Sequence, residues 1–179
     1  MDMKIYRTAQ EIYRGDPSPI DLADFDADYG RKELGKDLGS SAAWGPGIYF
    51  TGQKDIAEMY GPNVTKKFLK NSNILTKQSP LFSYDQVGKM LDGVGQNKVE
   101  EAIFNWDEDY NIGRRLLINS IINEDNPLDQ IMNIWAEVFY HQDPNAFMDF
   151  MVKNGIDGIF IQKAEDETYY VIYNKELLI

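Results

Sequence analysis

The stretch Ile156-Asp157-Gly158-Ile159-Phe160-Ile161, followed after a polar turn by Thr168-Tyr169-Tyr170-Val171-Ile172-Tyr173, decides the fold class. Both runs are rich in β-branched and aromatic residues, which suit a pleated, half-buried surface. The turn Gln162 to Glu167 predicts that they pair as an antiparallel hairpin. Immediately upstream the periodicity is helical. Phe147, Phe150 and Met151 share one face of a helix that Asp143-Pro144 opens and Asn154-Gly155 closes. Ile131, Ile134, Trp135, Val138 and Phe139 form the cleanest apolar stripe, and Asp125-Asn126-Pro127 supplies its start. Ile112 to Ile122 reads as another helix, and Val99, Ala102, Ile103 and Trp106 fall at i, i+3, i+4 and i+7 of a further one.

Ahead of this helical block the signals are again extended. Ile12-Tyr13-Arg14 reads as a short strand, preceded from Lys4 by an ambiguous segment and broken by Pro17 and Pro19. Residues 21–45 are polar and rich in Gly and Asp, which predicts a long loop of the kind that often serves function. Ile48-Tyr49-Phe50-Thr51 reads as a strand. Residues 54–60 read as a short helix, with Ile56, Met59 and Tyr60 at helical spacing and Gly61 as its stop. Val64 to Leu69 and Ile74-Leu75 read as extended. Strands, a helical block and strands again make an α+β pattern. No repeat or linker divides the chain, so residues 1–179 are expected to form one domain, with the helical block inserted at about 80–153.

Composition narrows the function classes. A net charge of −11, with no basic run longer than pairs such as Lys66-Lys67, argues against phosphate-tracking nucleic-acid binding. It suits a protein that docks on a basic partner. With no cysteine there is no disulfide, thiolate nucleophile or Cys-zinc site, and His141 alone cannot build a multi-histidine metal site. No apolar run approaches the ~18 residues of a membrane span, and Met1 to Tyr13 has no continuous apolar core of a signal peptide. The expected address is the cytoplasm, with delivery into or expression within a bacterial host cell as one setting.

Three pieces carry chemistry. They are Tyr13-Arg14-Gly15, then Gly45-Pro46-Gly47-Ile48-Tyr49-Phe50-Thr51 with Ala57 and Tyr60-Gly61, then Glu165-Asp166-Glu167 leading into Tyr169 to Tyr173. In this order the sequence resembles the ADP-ribosyltransferase superfamily over roughly residues 12–75 and 145–179. Tyr13-Arg14-Gly15 and Glu165-x-Glu167 resemble the toxin-like branch. Gly47-Ile48-Tyr49-Phe50 and Tyr60 resemble the poly-ADP-ribose-polymerase-like branch. The resemblance implies split antiparallel β-sheets around an NAD cleft. It also implies a mono-ADP-ribosyltransferase that cleaves NAD, releases nicotinamide and transfers ADP-ribose to a protein side chain. NAD would be the co-substrate, with no metal, and the target a macromolecule, most simply a protein. The helical block between Pro80 and Gln142 would then act as a lid or a target-docking surface, and the acidic surface favours a basic target. By resemblance, Arg14, Gly15, Tyr49, Thr51 and Tyr60 hold NAD, and Glu167, Glu165, Arg14 and Tyr49 serve catalysis.

The residue types suit those roles on physical grounds. Two tyrosines can sandwich a flat ring, Gly15 lets backbone come close, and the Arg14 fork matches phosphate or ribose oxygens. A carboxylate at Glu167 would stabilise the positive charge that develops on the ribose, with Glu165 on the same strand face serving the acceptor. Other readings stay open. In these Arg14 would be half of a surface ion pair, Tyr49 and Tyr60 core aromatics, and Glu165-Asp166-Glu167 a solvated hairpin tip. At the level of activity, one alternative has water in place of the protein acceptor, giving an NAD glycohydrolase. Alternatively the domain is catalytically degenerate and only binds NAD or a partner. Tyr169, standing where the polymerase-like pattern has its glutamate two residues after Glu167, favours that last reading.

Overall fold

A computed structural model describes residues 4–6, 10–27 and 44–178. Most of the predicted loop 21–45 lies outside the described residues. Within its described part, Leu22–Asp24 forms a 3-10 turn capped by the Asp21 carboxylate. The protein is α+β, and among the described residues it has seven strands in one mixed sheet. The strands are β1 (Lys4–Tyr6), β2 (Gln10–Asp16), β3 (Ile48–Thr51), β4 (Asn63–Leu69), β5 (Ser72–Leu75), β6 (Gly158–Ala164) and β7 (Glu167–Ile172). The helices are α1 (Lys54–Tyr60), α2 (Tyr84–Asp92), α3 (Gln96–Phe104), α4 (Tyr110–Ile122), α5 (Pro127–Glu137) and α6 (Pro144–Lys153). No helix among the described residues is long and apolar enough to cross a membrane.

The chain divides into two compact units, Lys77–Asp143 and Met3–Thr76 with Pro144–Ile179. The first holds α2 to α5. Its helix starts follow the local chemistry the sequence carries. Ser83 and Gln86 form a capping box on α2, Asp109 caps α4, and Asn126 caps α5 with Pro127 in its first turn. Leu117, Ile118, Ile121, Ile131 and Ile134 are all buried here. Gln130 is fully buried among them, and it is satisfied on both sides: its Oε1 accepts from Phe82 N–H at 2.7 Å and its Nε2 donates to Phe82 O at 3.2 Å.

The second unit holds the sheet, in the order β1-β5-β6-β7-β3-β2-β4. The sequence read α6 as part of the helical insertion, but it belongs with the sheet. Phe147 packs edge-on against Tyr173 at 6.0 Å, and Met151 is fully buried. Gly155, at φ 75°, ends α6 as anticipated. Ile156 N–H bonds to Met151 O and Gly155 N–H to Val152 O, the pairing of a left-handed helix stop. That use of Ile156 delays β6 to Gly158, two residues after the predicted start. The hairpin β6–β7 is antiparallel, as expected, with a register shift between Gln162 and Ala164. The β5–β6 pair is parallel, so the sheet is mixed rather than wholly antiparallel. Tyr169 to Ile172 are all buried, so β7 is covered on both faces.

Two ladders differ sharply on the side that matters for function. β2 pairs with β4 over its whole length, from Gln10↔Leu69 to Asp16↔Asn63. With β3 it pairs only at Tyr13↔Thr51. Beyond that point the two strands part, and a cavity opens between them.

Candidate active site

The glycine at the end of β2 sets the geometry. A Cβ on Gly15 would stand 1.8 Å from the Ala57 carbonyl oxygen, and one on Gly61 would stand 2.2 Å from the Asp16 carbonyl carbon. These two glycines let α1 lie directly against the end of β2. The close approach that the sequence assigned to a ligand is thus made, on the Cα side of Gly15, by Ala57. On α1 the buried residue is Ala57. Met59 and Tyr60 are exposed, so the predicted stripe faces outward instead of into the core.

The cavity has a volume of about 240 Å³ and is walled by Arg14, Trp44, Tyr49, Tyr60, Lys163 and Tyr169, with Gly15, Thr51 and Ala57 at its base and edges. Ligand pockets for drug-sized molecules run to ~300–1,000 Å³, so this cavity has room for one ring-sized end of a larger molecule. Arg14, Gly15, Tyr49, Thr51 and Tyr60, singled out from separate pieces of sequence, therefore line one concavity.

The side chains are fixed in different ways. Arg14 Nε and Nη2 hold both oxygens of buried Asp16, at 2.7 to 3.1 Å, and Nη1 donates to Tyr49 O at 3.3 Å. The ion-pair reading of Arg14 is correct in geometry, with a partner two residues away on the same strand face. The pattern leaves one hydrogen on each terminal nitrogen of the guanidinium beyond these bonds. Tyr49 donates to Gly45 O at 2.6 Å and accepts from Trp44 N–H at 3.3 Å, so its hydroxyl ties down the Gly45-Pro46-Gly47 turn. Burial raises its pKa well above that of an ordinary tyrosine. Thr51 exchanges hydrogen bonds with Gln53 at 2.9 and 3.2 Å.

Trp44, which sequence reasoning passed over, is central to the aromatic wall. Its ring stacks on Tyr49 at 6.3 Å and tilts against Tyr169 at 5.2 Å. Tyr60 meets Tyr169 through their hydroxyls, 3.2 Å apart. Tyr169 spends its own proton on Glu167 Oε1 at 2.6 Å, so Tyr60 must be the donor in that pair. Lys163, also passed over, donates to the same Glu167 oxygen at 3.1 Å. The result is a chain from Tyr60 through Tyr169 to Glu167. The Tyr169 hydroxyl, and secondarily Lys163, hold the Glu167 carboxyl below the usual glutamate range. Burial, then the bond to Glu167, pushes the Tyr169 phenol far up.

Glu165 and Glu167 do not share a strand face, which corrects the sequence reading. β6 ends at Ala164 and β7 begins at Glu167, so Glu165 and Asp166 form the hairpin tip. Both glutamates line a second hollow next to the first, together with Ile56, Met59, Tyr60, Lys163 and Tyr169. Tyr60, Lys163 and Tyr169 border both hollows. Glu167 thus stands one hydrogen bond from the cavity wall, while Glu165 sits farther out at the tip. Among the described residues no cluster of three or more His, Asp or Glu is arranged to hold a metal. Chemically, the cavity suits a flat ring with an oxygen-bearing extension, between aromatic walls and beside paired cations and one ionised carboxylate. No protein-family model, no curated protein and no solved structure matches this chain.

Proposed function

We propose that the chain is a mono-ADP-ribosyltransferase of the ADP-ribosyltransferase-like fold, which binds NAD in the cavity between β2 and β3. One observation carries this reading. Five residues from two separate pieces of sequence line a single concavity, with Glu167 one hydrogen bond behind its Tyr169 wall. The expected split sheets are here one continuous sheet, and it is the short β2–β3 ladder, a single register pair, that leaves room for a cleft. The nicotinamide ring would lie against Trp44, Tyr49 and Tyr60, and the remaining Arg14 hydrogens would bind ribose or phosphate oxygen.

In the reaction the C1′–N glycosidic bond breaks and its electron pair leaves with nicotinamide. Glu167 Oε2, which makes no hydrogen bond with the described residues, would accept from the ribose and stabilise its positive charge. The acceptor nucleophile then bonds C1′ and gives up its proton, with Glu165 at the hairpin tip placed to meet an incoming side chain. The expected target is a basic protein and the expected setting is the cytoplasm, with delivery into or expression within a bacterial host cell as one case.

The test is free nicotinamide released from NAD in the presence of bacterial lysate. Glu167→Gln keeps the shape and loses the charge, so release should fall by ~10²–10³-fold with NAD affinity largely unchanged. Label from NAD appearing on protein identifies a transferase, and label appearing only as free ADP-ribose identifies a glycohydrolase. A non-catalytic NAD-binding domain is the second reading. It is favoured by the position of Glu167, whose carboxylate borders the adjoining hollow while Tyr169 occupies the cavity wall. NAD binding with no nicotinamide release from wild type would select it.

A further inference from the structure

The helical unit carries a surface whose residues do not line the cavity. Between the end of α3 and the start of α4 the chain exposes Phe104 (50%), Trp106 (37%), Tyr110 (42%) and Ile112 (39%). Single exposed apolar residues are ordinary, whereas several brought together at one turn are a candidate interaction surface. Phe104 and Tyr110 meet edge to face at 6.1 Å. Aromatic residues of this kind dominate the energetic centres of protein interfaces.

The patch is also held rigid. The Ile103 carbonyl accepts from Trp106 and Asp107 N–H, at 3.0 and 3.3 Å. Asp107 Oδ1 accepts from Asp109 N–H at 2.8 Å, and Asp109 Oδ1 accepts from Asn111 and Ile112 N–H at 2.9 and 3.0 Å. A Cβ on Gly113 would stand 2.4 Å from the Ile103 carbonyl oxygen, so glycine lets α4 start directly against the end of α3. A turn ordered in the free protein loses little entropy when a partner binds, which favours affinity.

Charge identifies the partner. From Val99 to Gly113 the chain has Glu100, Glu101, Asp107, Glu108 and Asp109 and no Lys or Arg; of the cations that flank this stretch, Lys98 is paired with Asp143 and Arg114 with Asp92, and Arg115 follows on α4, so acid still outweighs base around the turn. We propose that this surface docks a basic segment of a partner protein, in which arginine or lysine alternates with apolar residues. Cationic heads would lie over Trp106, Tyr110 and Phe104 and bond the rim carboxylates, while apolar side chains cover Ile112. A second copy of the chain is a poor occupant. A two-fold dimer through this patch would set its acidic residues against the same residues of the partner copy. Nucleic acid and anionic membranes meet the same repulsion. The proposal stands whether or not the cavity binds NAD.

The experiment titrates the full chain, by calorimetry, with a short synthetic peptide of alternating arginine and leucine. A glutamate–leucine peptide serves as the control. The arginine peptide should bind, and added salt should weaken it. Trp106→Ala should raise Kd about tenfold or more, and Glu108→Gln should raise it less. Asp85→Asn, which removes an acid elsewhere on the same unit, should leave it unchanged. Should Trp106→Ala fail to fold by circular dichroism, the more exposed Phe104→Ser decides the matter. The proposal is overturned if wild type binds neither peptide, if it binds both equally, or if the patch variants bind like wild type. Sedimentation of wild type as a dimer that Phe104→Ser dissolves would also overturn it, in favour of self-association.

Discussion

Glu167 shows how much of a residue's role depends on its neighbours. Its side chain is about a third exposed, yet two donors converge on one of its oxygens. A donor that prefers the charged form lowers a carboxyl pKa, and the Tyr169 hydroxyl is the larger of the two effects. Tyr169→Phe removes that donor and keeps the ring against Trp44. The Glu167 pKa should then rise toward the ordinary value of ~4.3, read by carbon NMR of the labelled carboxyl. The sign for stability follows from the depressed native value. The contribution is present above the unfolded pKa and is lost as pH falls through the native one, so wild type should lose its advantage over Tyr169→Phe only in acid. A Glu167 resonance that titrates identically in both proteins would show that the hydroxyl does not control the charge. The alternation of a strand already put Tyr169 on the face of Glu167, but the Lys163 contact was not visible in sequence. Lys163 lies across the hairpin, and Tyr169, read as standing in a glutamate's position, gave no sign that its hydroxyl would hold Glu167.

At the level of elements, the same sequence signals were legible where local chemistry decides structure and silent where a contact is made across the fold. Pro127 after Asn126, and Gly155 after Asn154, announce helix ends because caps and left-handed stops are local. The outward turn of Met59 and Tyr60 was not legible, because a short helix with one buried alanine has no strong periodicity to orient it. Trp44 was missed for a similar reason: it lies at the edge of a glycine–proline turn, with no period to mark it, and only the fold brings it to Tyr169. Nor was the role of Asp157 apparent. Its carboxylate accepts from Asn73 N–H at 2.8 Å and from Asn174 Nδ2 at 2.9 Å, joining segments far apart in the chain. Gly15 is the element-scale test. Alanine there would drive a methyl into the Ala57 carbonyl, and neither β2 nor α1 can retreat without breaking the β2–β4 ladder or the Gly61–Asp16 contact. Overpacking costs ~1–3 kcal/mol and occasionally more, and a backbone clash belongs at the upper end. Gly15→Ala should lower the melting temperature by ~6–12 °C by calorimetry. A change within a degree would mean that α1 is not seated as described.

Over the whole molecule the dominant quantity is charge. Acidic residues number 29 against 18 basic ones, for a net of −11. Folding brings these charges closer together, so their mean interaction opposes the folded state. Local pairs work the other way. Most are exposed, as with Lys54–Glu58 and Lys98–Asp143, and exposed pairs contribute only ~0–1 kcal/mol each. Arg14–Asp16 is the more buried exception, and salt screens buried pairs far less than exposed ones. Raising ionic strength from ~0.01 M to ~0.15 M shortens the Debye length from ~30 Å to ~8 Å. That range spans the separations between unpaired surface carboxylates but not the contact distances within pairs. Screening should therefore remove more repulsion than attraction. The melting temperature at pH 7 should rise by a few degrees over this interval when sodium chloride is the salt. It should then flatten once the Debye length falls below the spacing of neighbouring charges. A melting temperature that falls with salt would mean that the surface ion pairs outweigh the net repulsion, and the acidic surface would then be a source of stability in the free protein.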